Sequence, residues 1–220
     1  MFKGHCFPKA IILQAVYFKL RFSLSYRDVE ELLSIRGVKV DHATIQRWVF
    51  KFTPLVEQQF RNRKKLVGKR WRLDETYIKV KGEWKYLYRA VDKEGNTVDF
   101  LLTKRIQRIS AQKFLIKAIE NNVNPELINI DKSGANKAAI KLYNRRNYSN
   151  IKIRQCKYLN NIVEQDHRMI KWRIMLGLGF KEFESAKRTI SGIEVVRMIK
   201  KNQLVNPESS TYKSFISLAS

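Results

Sequence analysis

Apolar side chains recur at helical intervals between Pro8 and Leu20, at Ile11, Ile12, Ala15, Val16 and Phe18. With Pro8 acceptable at a helix start, this spacing predicts a first helix. In the stretch SLSYRDVEELLSIRGVKVDHATIQRWVFKF, Ser25 is placed to cap a helix whose inner face is Val29, Leu32 and Leu33. Gly37 permits a turn, and Asp41 or His42 opens another helix with Ile45, Trp48 and Val49 facing inward. Two short helices joined by a glycine-containing turn have the shape of a helix-turn-helix.

Further along, the period changes. WRLDETYIKV, WKYLYRAV and TVDFLLTK are aromatic and β-branched runs separated by turn residues, and they predict an antiparallel meander. Ala111, Phe114, Leu115, Ala118 and Ile119 then repeat as a helix would. ELINID reads as a short buried strand ending at Asp131. A helix over about Ala135 to Tyr143, a strand at Ile151 to Arg154 and a helix opened by Asn160 or Asn161 complete the pattern. The order β-β-β-α-β-α-β-α describes an α/β domain, a mixed sheet with helices on its faces. RNRKKLVGKR, between the two patterns, reads as a basic linker. The expected organisation is therefore a helical domain over 1–60, a linker over 61–70, an α/β domain over 71–200 and a polar tail over 201–220.

Composition adds the partner class. The 220 residues carry 44 Lys+Arg against 20 Asp+Glu, a formal charge of +24, with 44% hydrophobic residues. That apolar content supports packed cores rather than disorder, and the charge excess points to a polyanion. The apolar run from Ala10 to Phe18 is broken by Gln14 and is too short to span a bilayer, and no small-residue cleavage site follows it. Neither a membrane partner nor a secretory signal is expected. Cys6 and Cys156 are far apart and in no metal-ligand spacing, which suits free thiols in a reducing cytoplasm. With only His5, His42 and His167 as imidazoles, zinc is poorly supported, and any metal should be hard and held by oxygen.

If the helix-turn-helix reads DNA, its second helix enters the major groove and exposes His42, Thr44, Gln46 and Arg47 to the bases. Gln suits adenine and Arg suits guanine through paired hydrogen bonds. A helical hairpin that only packs, or that mediates dimer contacts, has the same pattern.

Three acids could build an oxygen-ligated site: Asp74 inside the first strand, Asp131 at the end of the fourth, and Glu164 near a helix start. Brought together they would raise each other's pKa, and a divalent cation would turn that repulsion into binding. Each has a plainer reading. Asp131 could cap the following turn, and Glu164 sits three residues after Asn161, as in a capping box. Asp74 is harder to dismiss, because Asp is depleted from strand interiors. Its neighbour Glu75 should point to the opposite sheet face, and Asp92 begins a turn where Asp is expected anyway. Trp71, Trp84, Tyr86 and Tyr88 are expected to fill core positions.

WRLDETYIKVKGEWKYLYRAVDKEGNTVDF, the NID ending at Asp131, and KYLNNIVEQDHRMIKWR together resemble the DDE transposases of bacterial insertion sequences, in the insertion-sequence-six family. The resemblance runs from SYRDVEELL and ATIQRWV through ISGIEVVRMIKK, nearly the whole chain. It implies a helix-turn-helix region followed by a ribonuclease-H-like catalytic domain that binds Mg²⁺, for which Mn²⁺ can substitute. Asp74 matches the acid of DETYIK, Asp131 the second Asp, and Glu164 the Glu of NNIVEQDH. Lys171 matches the basic residue seven positions after that Glu, two helical turns on, where it shares a face with Glu164 and can reach a phosphate; His167 and Arg168 are secondary candidates expected on the same face. This sequence departs from the family in an Asp131-to-Glu164 interval about two residues shorter, a difference a surface loop can absorb. It also reads Lys-Ser-Gly-Ala-Asn after Asp131 where relatives often carry Lys-Ala-Pro.

The resemblance implies recognition of the element's terminal inverted repeats, Mg²⁺-dependent cleavage, strand transfer into target DNA, and a homo-oligomer on double-stranded DNA in the cytoplasm. Two rivals use the same N-terminal helices: a non-catalytic DNA-binding regulator, and an inactive transposase remnant. A hydrolase that cuts but does not join is a third, and a strand-transfer assay on pre-cut ends separates it.

Overall fold

Two units divide the computed structural model, which describes residues 6–131, 134–176 and 179–219. One comprises Met1–Lys65 with Trp172–Ser220, the other Leu66–Lys171. His5, Lys132 and Ser133, named above, lie outside the described residues.

Capping chemistry sets the helix boundaries of the first unit. Helix α1 (Lys9–Arg21) follows Pro8. Helix α2 (Tyr26–Ile35) starts at a reciprocal capping box, in which Ser25 Oγ accepts from Asp28 N at 3.0 Å and the Asp28 carboxylate accepts from Ser25 N at 2.6 Å. Gly37, at φ +77°, makes the turn. Asp41 then accepts from the amides of Ala43 and Thr44 to open α3 (His42–Asn62). The two helices and the glycine turn expected between Ser25 and Val49 therefore form, but α3 runs on through Pro54. Proline cannot donate to the Phe50 carbonyl, and Arg188 does so instead at 2.8 Å while lying over the Phe50 ring.

Arg188 belongs to α7 (Phe183–Lys200), which is buried along most of its length. The expected 71–200 domain included this helix, yet it packs here against α1 and α3. An almost uniformly buried helix has no polar face to reveal its partner. Gly192 marks the closest approach: a Cβ there would lie 2.6 Å from Leu20 and 2.8 Å from Thr53. Gly192→Val should therefore destabilise this unit by about 1–3 kcal/mol through overpacking, seen as a lowered Tm in thermal unfolding.

The polar tail expected over 201–220 is tied down along its length. Lys65 N donates to Gln203 O and Val205 N to Arg63 O, both at 2.8 Å. Ser210 caps α8 (Thr211–Ser217), whose Tyr212 and Phe215 rings lie 5.1 and 5.3 Å from that of Tyr17. Two aromatic anchors outweigh the polar composition around them.

The second unit is a five-stranded sheet of order β3-β2-β1-β4-β5. Strands β1 (Arg70–Val80), β2 (Glu83–Asp92) and β3 (Thr97–Thr103) form the expected antiparallel meander; β4 (Leu127–Ile130) and β5 (Lys152–Gln155) continue it in parallel. Helices α4 (Arg108–Glu120) and α5 (Gly134–Arg146) supply Phe114, Leu115, Ala139 and Ile140 to a core with Trp71, Leu73, Tyr88 and Ala90. This is the mixed, ribonuclease-H-like sheet the sequence implied. A 3₁₀ turn at Lys157–Asn160 leads into α6 (Asn161–Leu176), which lies on the other face and belongs to this unit through Lys171.

Trp71 and Tyr88 are buried as expected, and Tyr86 partly so, but Trp84 is 58% exposed. It sits near the tip of the β1–β2 hairpin, edge-on to Tyr77, with Lys79 Nζ 5.7 Å from its ring. Asp92 does turn work, accepting from Gly68 N, Asn96 N and Asn96 Nδ2. Among the described residues, no helix is long and apolar enough to cross a membrane.

Candidate active site

Strand alternation separates the two adjacent acids of β1. Glu75 accepts from Asn136 Nδ2 of α5 at 2.7 Å, whereas Asp74 turns to the α6 face, where His167 Nδ1 lies 3.5 Å from its Oδ2. Asp131 follows β4 directly. Since Arg72 pairs with Asn129 in parallel register, two further residues bring Asp131 alongside Asp74. Glu164 lies in the first turn of α6.

A pair of buried asparagines fixes where α6 begins. Asn129 Nδ2 donates to Asn160 Oδ1 at 2.7 Å and to Cys156 O at 3.0 Å, and Asn160 Nδ2 donates to Leu73 O at 3.3 Å. The helix start is thereby tied to β1 beside Asp74 and to β4 beside Asp131. Farther along the helix, Asp166 accepts from Arg89 Nη2 at 3.1 Å. Arg89 is fully buried and stands opposite Asp74 in the β1–β2 register, so its charge faces α6 from within the sheet. These four residues hold the acids in place, and the sequence reading assigned none of them that role. The usable signal was Asn129, a residue type depleted from strand interiors.

The electrostatics join the three acids. Burial pushes the Asp74 carboxyl up to about 7, and the charges of Glu75, Asp131 and Glu164 push in the same direction. Among the described residues, no three His, Cys, Asp or Glu side chains gather closely enough to hold a metal ion, so Asp74, Asp131 and Glu164 are linked here by charge rather than by a shared ligating point. The donor chemistry nonetheless fits a hard divalent cation: carboxylate oxygens, no thiolate, and a central acid whose ionised form is held back by its like-charged neighbours.

Of the other residues picked from sequence, Lys171 and Arg168 are exposed on α6, whereas His167 is buried against the sheet. His42 Nδ1 lies 2.9 Å from Glu30 of α2, and Thr44 Oγ1 donates to Asp41 at 2.6 Å, so both are engaged within their own motif. Gln46 and Arg47 are exposed on α3.

The sheet carries acids on β1, after β4 and on α6, and a family model described as a DDE domain matches residues 68–203. The chain belongs to the DDE transposases, in the insertion-sequence-six family. It is 40% identical over 207 residues to the transposase for insertion sequence-like element IS431mec of Staphylococcus aureus strain Mu50, covering 92% of this chain and 90% of that protein. Identity and coverage are the same for the transposase for insertion sequence element IS257 in transposon Tn4003, also of S. aureus. Among solved structures, the HTLV-2 integrase catalytic core domain in complex with magnesium is 18% identical at a TM-score of 0.49, over 70% of this chain and 99% of that one. The chain is thus a transposase, an enzyme of DNA cleavage and strand transfer.

Proposed function

We propose that Asp74, Asp131 and Glu164 are the catalytic acids and metal ligands of this transposase, acting on the terminal inverted repeats of its element and then on target DNA. The observation that carries the reading is the Asp74 carboxyl, pushed up to about 7 in part by the charges of Asp131 and Glu164. Mg²⁺ ions bound there, or Mn²⁺ in their place, would supply Lewis acidity and neutralise charge at the attacking and leaving oxygens.

The protein's own part is to hold and orient. Buried Arg89, through Asp166, and the Asn129–Asn160 pair keep Glu164 on the Asp74 side of the sheet. Lys171, two helical turns beyond Glu164, gives an exposed cation for a phosphate next to the cut. In the first step a water oxygen bonds to phosphorus and the phosphodiester opens, leaving a 3′-hydroxyl. In the second the oxygen of that hydroxyl bonds to a phosphorus of target DNA, the target's own P–O3′ bond breaks, and a target 3′-hydroxyl takes up the proton and leaves. Neither step needs a Ser, Tyr or Cys nucleophile, and the enzyme's contribution is position and charge.

Helices α2 and α3 recognise the terminal repeats, with exposed Gln46 and Arg47 nearest the bases; the inward bonds of His42 and Thr44 leave them less free to reach DNA. Holding two ends together calls for more than one protomer, so the working form is a homo-oligomer on DNA. Two cysteines without disulfide spacing suit a cytoplasmic place of work, on the nucleoid. Incubating the purified chain with labelled element ends and Mg²⁺ tests the reading. Cut and joined products are expected, and Lys171→Gln should lower kcat about 10-fold or more. Product formation that persists unchanged in EDTA would defeat the reading.

A further inference from the structure

On the face of the sheet that carries Asp74, the strand registers align cations in two rows. Arg70 pairs with Leu127, which pairs with Lys152; Arg72 pairs with Asn129, which pairs with Arg154. Residues aligned this way project from the same face, as do residues two apart along β1. Arg70, Arg72, Asp74 and their row partners therefore share one side of the sheet. The cations border two adjoining concavities of about 460 and 160 Å³, with Arg70 and Arg154 lining both.

The charge there is unbalanced. Arg70, Lys152 and Arg154 are exposed, and none of them pairs with a carboxylate among the described residues. Among the described residues the lining holds one carboxylate, Glu126, and Lys69 takes it at 3.3 Å. Arg72 is held flat against the β2–β3 turn, donating to the carbonyls of Asp92 and Lys93. Fixed cations that stay unpaired on a concave surface raise a local potential suited to a polyanion.

We infer that the ledge formed by Arg70, Arg72, Lys152 and Arg154 seats the phosphate backbone of duplex DNA to one side of the cut. Spacing supports this occupant. Asp74 lies four residue steps along β1 from Arg70, about 13 Å of strand, which is roughly four base-pair rises. A duplex whose scissile linkage lies at Asp74 thus passes its flanking backbone over the two cation rows. The ledge belongs to the second unit and α2 and α3 to the first, and its contacts are to phosphate, so it adds affinity without reading sequence. Its position beside the cut rests on the proposed function of Asp74; its binding of DNA does not.

The test uses the full chain with Arg70→Gln, Lys152→Gln and Arg154→Gln combined, and a short random-sequence DNA duplex as probe. Each lost phosphate contact should reduce the slope of log K against log salt by about 0.9. The triple variant should lose about 2–3 in slope and bind at least 10-fold more weakly at moderate salt. A variant with equal charge removed from the far face, at Lys113, Lys141 and Arg145, should keep the wild-type slope. An unchanged slope in the ledge variant overturns the inference, as does an equal loss in the far-face variant. So does an unchanged slope accompanied by loss of self-association, which would assign the ledge to a second protein copy. Binding is read without cleavage, so an inactive wild-type chain would count against the proposed function and leave this result standing.

Discussion

Asp74→Asn is expected to abolish DNA cleavage and, at the same time, to make the metal-free protein more stable above neutral pH. The loss of cleavage should be at least about 10³-fold, because a metal ligand carries several kcal/mol of transition-state charge stabilisation. The gain in stability follows from the same carboxyl. It is pushed from 3.8 up to about 7, chiefly by burial and then by the charges of Glu75, Asp131 and Glu164. Between those values the folded chain binds the proton and the unfolded chain does not, so stability falls as pH rises through that window. Asparagine does not ionise and escapes the loss. At pH 8 the variant should be about 2–4 kcal/mol more stable, or roughly 5–10 °C higher in Tm. The wild type should recover that difference on addition of Mg²⁺, strongly at pH 8 and weakly at pH 5, whereas the variant should respond to Mg²⁺ at neither. Melting curves at the two pH values, with and without Mg²⁺, check every part. A variant that melts lower than wild type at pH 8 would mean that Asp74 is stabilised by its surroundings, not strained by them.

The second large effect concerns Asp166→Leu. Its carboxylate accepts from Arg89, whose guanidinium is fully buried in the sheet. Removing a carboxylate from a fully buried guanidinium costs about 3–5 kcal/mol, because that charge cannot turn to water in exchange for the bond it loses. Thermal unfolding should show a Tm lower by about 10 °C. The double change Arg89→Met with Asp166→Leu should recover most of that stability, since the buried charge is then removed along with the carboxylate that served it. It should not recover full activity. Without the ion pair α6 keeps its tie at Asn160 and its contact at His167 but loses its anchor to β2, and Glu164 is held less firmly beside Asp74. If the double variant cleaves at the wild-type rate, the ion pair has a structural role alone.

These two predictions differ in how far the sequence foretold them. Asp74 was legible because an acid inside an aromatic and β-branched strand contradicts its own propensity, and the alternation that sends Glu75 to Asn136 could be counted from the chain. Helix boundaries at Ser25 and Asp41 were equally legible, since capping acts within four residues. Asp166 and Arg89 were not. Their pairing joins positions distant in the chain, and neither residue is unusual in its own segment. Asn129 and Asn160 share that character, although a strand asparagine was a warning. The packing partner of α7 was illegible for a related reason, although the family's DDE domain spans residues 68–203 and takes in this helix. A helix buried nearly all round reports that it is covered but not by what; the close approach at Gly192 and the Arg188 bond to Phe50 show that α1 and α3 cover it. Trp84 misled by composition, since an aromatic in a strand is read as core unless the hairpin tip is known to outrun the helices beneath it.

Anomalous diffraction from Mn²⁺-soaked crystals of the full chain bound to an element end tests the central claim most directly. The account predicts Mn²⁺ within ligating distance of Asp74, Asp131 and Glu164 and next to the scissile phosphate. Mn²⁺ bound elsewhere on the DNA-bound chain, with the three carboxylates turned to separate surroundings, would contradict it.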